Sequence, residues 1–265
     1  MKYEEYLEFA KDIAIYAGDI MLKYFNQKGI GHYKADKSIV TLADTEINSY
    51  LIQRVKETYP THAVDGEEEK YSPSGSGLHS PETWICDPVD GTAQFARGVP
   101  VAVFSLALCI DGIPQVGVVY DPFLKQMWWG VKGQGAFKNS ERLQVNELGM
   151  DDENVYGYVA HWPRAKFNAM SLATELMKRV YCPGLGSITR GGILVAEGHN
   201  IFTLFPSDKP HDLAAVKVIV EEAGGIVRNF YGQEERFDQP LNGVIVSNKV
   251  VYNELLAIVK KHLET

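Results

Sequence analysis

The chain has 265 residues, of which 45% are hydrophobic and 23% are charged, and these values are typical of a globular protein with a full core. Its formal net charge of -8 excludes a general nucleic-acid-binding or anionic-membrane surface, because such surfaces need an excess of basic residues. The longest apolar run, Val99 to Ile110, is too short to span a bilayer. The acidic amino terminus and three widely spaced cysteines, which form no disulfide framework, predict a cytoplasmic protein.

The first part of the chain is predicted to be helical. Apolar residues recur at helical spacing from Tyr6 to Tyr24, which predicts a long first helix that ends before Gly29. A second helix is predicted to begin after Thr41, with Asp44 in its first turn, and to stop at residues 59–60. An acidic loop at residues 65–69 follows it.

The next segment has the pattern of β-strands. Residues 83–86 read as a buried strand that runs directly into Asp87. Two further strands, at 101–110 and 115–120, flank the turn signal Asp111-Gly112, and another strand follows at 126–131. The sequence therefore predicts an antiparallel meander.

Beyond about residue 146 the pattern changes to alternating helices and strands. Strands are predicted at 155–160, 200–205 and 243–247, and helices at 163–179, 189–197, 210–223 and 249–262. We therefore divide the chain into an amino-terminal α+β half, residues 1–148, and a carboxy-terminal α/β half, residues 149–265.

The sequence Asp-Pro-Val-Asp-Gly-Thr at residues 87–92 is the central motif. Asp87 ends the buried strand, and Asp90 returns a second carboxylate to the same side. Gly91 allows a close backbone approach, and Thr92 begins the next turn with free N–H groups. Two carboxylates beside exposed amides suit a hard cation and a phosphate together. A plain Asp/Gly turn after a strand explains the local sequence equally well.

Other carboxylates add to this motif, although each has an ordinary explanation. The run Glu67 to Glu69 is typical of a solvated surface loop. Asp212 stands in the first turn of a predicted helix, where an aspartate more often caps the helix or interacts with its dipole.

Four motifs nevertheless follow one another in order: Gly-Glu-Glu at 66–68, Asp-Pro-Val-Asp-Gly-Thr at 87–92, Asp-Leu-Ala-Ala at 212–215 and Glu-Ala-Gly-Gly at 222–225. In this order they strongly resemble the inositol monophosphatase family. The segment 34–44, which ends in Val-Thr-Leu-Ala-Asp, also resembles the family. The resemblance covers nearly the whole chain and implies the family's fold, a layered α/β (α+β) sandwich like those of inositol monophosphatase and fructose-1,6-bisphosphatase.

The resemblance also implies the roles of individual residues. The metal ligands would be Glu67, Asp87, Asp90, Asp212 and the carbonyl of Val89. The main-chain N–H groups of Gly91 and Thr92 would hold the phosphate. Thr92 and Asp44 would orient the attacking water, with Glu67 close to it, while Glu68 and Lys34 would support these groups from behind.

The substrate side departs from the family's pattern. Members that hydrolyse inositol phosphates carry a glutamate seven residues before the metal-binding aspartate, and here that position is Phe205. We therefore expect myo-inositol 1-phosphate to be a poor substrate. Ser187 and Thr189 are expected to border the substrate, Phe205 to stack on an imidazole of the substrate, and Asp208 to meet a cationic group on it. For His211, packing is favoured over a contact with substrate.

The resemblance implies Mg²⁺-dependent hydrolysis of a small phosphomonoester by metal-activated water, with two or three Mg²⁺ per site and Mn²⁺ as a substitute. It also implies inhibition by lithium and a homodimer, with a small phosphorylated metabolite as the partner and neither nucleic acid nor membrane. Residues 97–101 and 195–198 partly resemble a histidinol-phosphatase-like branch. The enzyme alternatives are therefore histidinol phosphate and fructose-1,6-bisphosphate or another sugar phosphate. A catalytically silent phosphate-binding protein is the non-enzyme alternative.

Overall fold

The computed structural model describes residues 3–27, 29–35, 38–73, 80–162 and 165–263. The helices in these residues are α1 Glu4–Tyr24, α2 Leu42–Thr58, α3 Thr92–Phe95, α4 Met170–Leu176, α5 Ile188–Ala196, α6 Ala214–Glu222 and α7 Tyr252–Leu263. The strands are β1 Gly31–Tyr33, β2 Ile39–Thr41, β3 Ala63–Gly66, β4 Lys70–Tyr71, β5 Glu82–Asp90, β6 Val103–Ile110, β7 Ile113–Asp121, β8 Gln126–Val131, β9 Gly135–Lys138, β10 Glu141–Arg142, β11 Gly157–Val159, β12 Phe202–Phe205, β13 Ile226–Asn229 and β14 Val244–Ser247.

The larger sheet has eight strands in the order β10-β9-β8-β7-β6-β5-β3-β4. Neighbouring strands from β5 to β10 are antiparallel, which confirms the predicted meander. The turn between β6 and β7 has positive φ at both Asp111 and Gly112, as the two central residues of a type I′ hairpin require. The pair β3 and β5 is parallel, with Gly66, the last residue of β3, opposite Cys86, whereas β5 continues to Asp90.

The smaller sheet has four strands in the order β11-β12-β14-β13. Three of them were predicted, and β13 was not: it has only four residues, which alternate between partly and fully buried. The two sheets come from separate stretches of the chain, β3 to β10 and β11 to β14. The boundary between residues 148 and 149 stays a prediction.

The elements stack in layers around three clusters of apolar side chains. Helices α1 and α2 cover one face of the larger sheet, where Ile13 and Leu51 pack against Trp84. Helices α5 and α6 lie between the two sheets, and α4 and α7 cover the far face of the smaller one. The helix α6 lies directly on β7 at Gly117. A Cβ at this position would come 2.7 Å from the carbonyl oxygen of Ala215, so only glycine permits this close approach. This arrangement confirms the layered α/β fold.

Three predicted helices begin later than their patterns indicated: the one predicted at 163–179, the one predicted at 210–223, which begins as α6 at Ala214, and the one predicted at 249–262. Of the helix predicted at 163–179, only α4 forms, and residues 163 and 164 lie outside the described residues. The Asn168 side chain accepts a hydrogen bond from the Met170 N–H and so fixes the turn that precedes α4. The Asn248 side chain accepts hydrogen bonds from two successive N–H groups, at Val250 and Val251, and so delays the start of α7.

Among the residues that the structure describes, no helix has both the length and the apolar composition needed to cross a membrane. Cys86 and Cys109 are buried free thiols, as expected from the apolar runs in which they occur, and Cys182 is a partly buried one.

Candidate metal centre and active site

Glu67 and Asp87 lie together because each is the next residue after a paired position of two parallel strands, Gly66 on β3 and Cys86 on β5. Glu67 is the first residue after β3, and its N–H donates to the carbonyl of Cys86 at 3.1 Å. Asp87 follows Cys86 directly on β5. The pairing of β3 with β5 therefore brings Glu67, from the acidic run, beside Asp87, the first carboxylate of the central motif.

Asp212 joins this centre from the other half of the fold. It lies in the turn before α6, where its Oδ2 accepts a hydrogen bond from Ser207 Oγ at 2.8 Å. One carboxylate oxygen from each of Asp87, Asp90 and Asp212 lies within 4.8 Å of the other two. All three side chains are buried, with Asp87 only 2% exposed. The structure thus brings together three of the four carboxylates that were predicted to bind metal.

The fourth carboxylate belongs to a second group of ligand atoms. Oxygens of Glu67 and Asp87 and a ring nitrogen of His211 lie within 4.8 Å of one another. Asp87 is common to both groups. Two groups of potential ligand atoms therefore share one carboxylate, and one of the two groups includes an imidazole.

The buried carboxylates have unusual proton affinities because they are crowded together away from water. Burial, reinforced by the charges of Glu67 and Asp90, raises the pKa of Asp87 well above its ordinary value. Burial and then the charge of Asp90 do the same to the pKa of Asp212. Burial raises the pKa of Asp90 to about 6, against three hydrogen bonds that favour its charged form.

Asp44 and Thr92 form the pair that was predicted to orient water. Asp44 completes a capping box with Thr41 at the start of α2, and its side chain is fully buried. Thr92 Oγ1 donates to Asp44 Oδ1 at 3.3 Å and to the Val89 carbonyl at 2.8 Å. Burial raises the pKa of Asp44 to about 7. Because Asp44 has no exposed surface, it can reach a water only through the Thr92 hydroxyl.

The turn from β5 into α3 depends on Gly91. Its φ is 94°, in the left-handed region, and a Cβ there would lie 3.3 Å from the carbonyl oxygen of Gly186. Thr92 is the first residue of α3, and N–H groups in the first turn of a helix have no acceptor within it. The Val89 N–H, by contrast, donates to Asp87 Oδ1 at 3.0 Å and so holds that carboxylate in place.

Lys34 and Glu68 lie behind Glu67, at the back of the centre. Lys34 Nζ is 2.6 Å from Glu68 Oε1 and 3.4 Å from Glu67 Oε1. Burial and the neighbouring charge of Glu67 raise the pKa of Glu68, although its bond with Lys34 opposes that rise. The pair is positioned to fix the Glu67 side chain, as expected of supporting residues.

Ser187 and Thr189 have a different place from the substrate contact that was predicted. Both are buried, with exposures of 1% and 0%. Ser187 Oγ and the N–H groups of Ile188 and Thr189 donate to the Asp90 carboxylate, and Thr189 Oγ1 donates to the Asp212 carbonyl at 2.9 Å. These residues hold two of the aspartates that were predicted to bind metal, and they do not border open space.

The interpretation of Phe205 also needs correction. Phe205 has no exposed surface and packs in the core, with its ring edge-on to Tyr158 at 6.3 Å. It therefore offers no face on which a substrate could stack, because β12 is buried on both of its faces. Asp208 does line open space: it borders a cavity of 290 Å³ that also includes Glu67 and His211.

Sequence analysis underestimated His211, for which packing was favoured. Among the described residues, no aromatic ring packs against its imidazole and no group lies within hydrogen-bonding distance. Its Nε2 is 3.7 Å from Asp212 Oδ1. Burial, with a contribution from Lys209, lowers its pKa to about 3, so the ring is neutral at neutral pH and can offer a lone pair. Its position next to Asp212 in the sequence was the available signal.

The donor set fits divalent metal. In the described residues, no Lys or Arg forms an ion pair with Asp87, Asp90 or Asp212, so their buried negative charge has no compensating side chain. Isolated buried charge is costly unless it is paired or coordinates a cation. Carboxylate and carbonyl oxygens are hard ligands of the kind that Mg²⁺ and Mn²⁺ bind.

A layered α/β fold with such a centre defines a metal-dependent phosphatase. A family model, the inositol monophosphatase family, matches residues 2–264, and the chain belongs to that family. It is 31% identical over 271 residues to the fructose-1,6-bisphosphatase/inositol-1-monophosphatase of Aquifex aeolicus, covering 98% of this chain and 97% of the relative. It is 30% identical over 260 residues to the histidinol-phosphatase of Chlorobaculum parvum, covering 96% of both chains.

A solved structure, the IMPase of Thermotoga maritima, superposes with a TM-score of 0.87 at 27% identity and covers 98% of each chain. The predicted family, fold and phosphatase activity are confirmed by these comparisons.

Proposed function

We propose that the protein hydrolyses a small phosphomonoester with Mg²⁺ held by Glu67, Asp87, Asp90, Asp212 and the carbonyl of Val89. The observation that supports this most directly is the pair of ligand groups that share Asp87. Two or three Mg²⁺ per site, with Mn²⁺ as a substitute, remain part of the proposal. A cytoplasmic homodimer is proposed as well; the homodimer rests on the family resemblance.

The residues around the centre have distinct roles in this proposal. The N–H groups of Gly91 and Thr92 hold the phosphate at the start of α3. The Thr92 hydroxyl donates its proton toward Asp44 and Val89, so its lone pairs are free to accept a hydrogen bond from the attacking water. Asp44 fixes that orientation from the buried side and serves as a positioning residue. Glu68 and Lys34 keep Glu67 in place.

Bound Mg²⁺ would supply charge stabilisation to the phosphate and leaving group and would lower the pKa of the attacking water. The chain's own contribution is positional. Ser187 and Thr189 hold the aspartates from behind, and Ser207 holds Asp212. Little covalent chemistry is then required of a protein side chain in phosphoryl transfer.

The substrate is proposed from what borders the cavity of 290 Å³ beside Glu67. Position 205 carries no carboxylate and is buried, so a polyol lacks the acceptor that a glutamate there would provide. Each hydroxyl left without a partner costs about 1–3 kcal/mol. Asp208 lines the cavity and could pair with an ammonium group, which favours histidinol phosphate, as the name of one relative suggests. Fructose-1,6-bisphosphate and other sugar phosphates are the second candidates.

The function is tested by phosphate release from a panel that includes histidinol phosphate, fructose-1,6-bisphosphate and myo-inositol 1-phosphate. Activity on at least one substrate should disappear after chelation and return when Mg²⁺ is added, because the centre has no nucleophilic triad. We expect myo-inositol 1-phosphate to have the lowest kcat/KM of the three. Full activity after exhaustive chelation would contradict the mechanism.

Lithium should inhibit the Mg²⁺-supported reaction. The carboxylates of Asp87, Asp90 and Asp212 form a compact oxygen site that a small monovalent cation can occupy. Replacing a divalent ion with Li⁺ halves the positive charge at that position, so the developing charge on the leaving group is stabilised less. Rates are measured with increasing LiCl at constant ionic strength, with KCl as the control. Equal rates in the two salts would count against the proposal.

A further inference from the structure

We propose that His211 is a nitrogen ligand of the metal held by Glu67 and Asp87, and that this position therefore prefers first-row transition metals to Mg²⁺. The inference rests on the proposed metal-dependent function and concerns this chain's own residues. The neighbouring position, formed by Asp87, Asp90 and Asp212, has oxygen donors alone. The two positions would then differ in the metal that each selects.

Geometry is the first support. A ring nitrogen of His211 and oxygens of Glu67 and Asp87 lie within 4.8 Å of one another, a spacing from which three atoms can ligate one ion. These residues come from three separate parts of the fold: the loop after β3, strand β5 and the turn before α6. Their convergence is a product of the tertiary structure and not of one acidic segment.

The surroundings of His211 are the second support. Within the described ranges, the His211 ring has no hydrogen-bond partner in the protein, so its nitrogens are not committed to another side chain. Its side chain is 15% exposed and borders the 290 Å³ cavity that also reaches Glu67. The ring is therefore held at the edge of the carboxylate centre, where an ion from solvent can reach it.

Ligand chemistry gives the selectivity. Mg²⁺ binds oxygen ligands and holds its water tightly, whereas imidazole nitrogen suits later first-row metals. Adding one nitrogen to two carboxylates should strengthen the binding of Co²⁺ and Zn²⁺ most, and that of Mn²⁺ less, but still more than that of Mg²⁺. The order of affinities at this position should follow the general order for divalent first-row metals.

Mn²⁺ is the probe for the test, because its electron spin reports nitrogen ligands directly. The full-length protein is stripped by chelation, loaded with Mn²⁺ and examined by pulsed electron paramagnetic resonance, with natural and with ¹⁵N-labelled histidine. We expect a nitrogen coupling that changes with the isotope. It should vanish in His211→Phe and persist in His199→Phe, a control at an exposed histidine. The isotope-dependent coupling in the wild type tests for a histidine ligand by itself, so that part of the test does not depend on whether the variants fold.

Binding isotherms measure the consequence for affinity. Losing a direct ligand should weaken Mn²⁺ binding at one position at least about 10-fold. Even mutations of residues that only contact a metal ligand typically lower metal affinity by about that factor. Binding of Mg²⁺ should change much less. Bound Mn²⁺ without histidine coupling, or a coupling that survives His211→Phe, would overturn the proposal and leave the metal-dependent phosphatase intact. A protein that binds neither metal would overturn both.

Discussion

Replacing Asp87 by Asn should abolish phosphate release without weakening the fold. Asp87 belongs to both groups of ligand atoms, so the loss of its charge affects both cation positions. We expect kcat/KM to fall by about three orders of magnitude or more, equivalent to about 4 kcal/mol of lost transition-state stabilisation. The hydrogen bond from the Val89 N–H goes to Asp87 Oδ1, and the amide oxygen of Asn can accept it.

The metal-free form of this variant should melt at the same temperature as the metal-free wild type or higher. Asp87 is buried beside Glu67, Asp90 and Asp212, and an amide relieves the repulsion among these like charges. Kinetics and thermal melting in the presence of a chelator provide the two measurements. Asp19→Asn is the matched control, because it makes the same change at an exposed position on α1 and should alter neither.

Asp90 is a poorer choice for this experiment. Its carboxylate accepts hydrogen bonds from Ser187 Oγ and from the first N–H groups of α5, at Ile188 and Thr189. An Asn side chain would turn a donor toward some of these donors, so lost activity could arise from a damaged helix start. Near-normal turnover in Asp87→Asn, by contrast, would show that Asp87 is not a shared metal ligand and would contradict the proposed centre.

The carboxylates of this centre could be predicted because sequence motifs mark where strands and helices begin and end. Asp44 was placed in the first turn of α2, and the structure has it there, whereas Asp87 was placed at the end of a buried strand that in fact continues to Asp90. The sequence did not show that β3 pairs in parallel with β5. That long-range pairing brings Glu67 to Asp87, and no local pattern determines it.

The residues on the substrate side were harder to predict because their roles depend on the direction of single side chains. Phe205 is on a short strand whose four residues are all buried, so no alternation marks an outward face. Ser187 caps α5 and Thr189 lies in its first turn, but their partners, Asp90 and Asp212, are distant in the chain. His211 was assigned a packing role because its neighbours in the fold could not be known.

The stability of the metal-free protein should increase as the pH falls from 8 to 6.5. In the folded state the pKa of Asp44 is raised to about 7, that of Asp90 to about 6, and those of Asp87 and Asp212 well above their ordinary values. An unfolded aspartate has a pKa of about 3.9. Across this range the folded protein binds more protons than the unfolded chain, so the free energy of unfolding decreases as the pH rises.

The expected slope is about 1.4 kcal/mol per pH unit for each additional proton that the folded state binds. Below pH 6.5 two histidines oppose the trend. Burial lowers the pKa of His211 to about 3 and also lowers the pKa of His62, so the unfolded chain gains protons there that the folded state does not bind. The two histidines therefore make the slope shallower below pH 6.5 but do not reverse it there, because four aspartates have raised pKa values and only two histidines have lowered ones.

Saturating Mg²⁺ should remove this slope or reverse it, because metal binding requires the ionised carboxylates and competes with protons. Urea unfolding at several pH values between 6.5 and 8, with chelator or with Mg²⁺, measures both slopes. Asp87→Asn removes one proton-binding group and should flatten the slope of the metal-free protein, whereas Asp19→Asn should leave it unchanged. A chelated wild type that is more stable at pH 8 than at pH 6.5 would show that the folded state does not bind extra protons in this range. The buried aspartates would then not repel one another in the metal-free protein, and a bound metal would not stabilise the centre by relieving such repulsion.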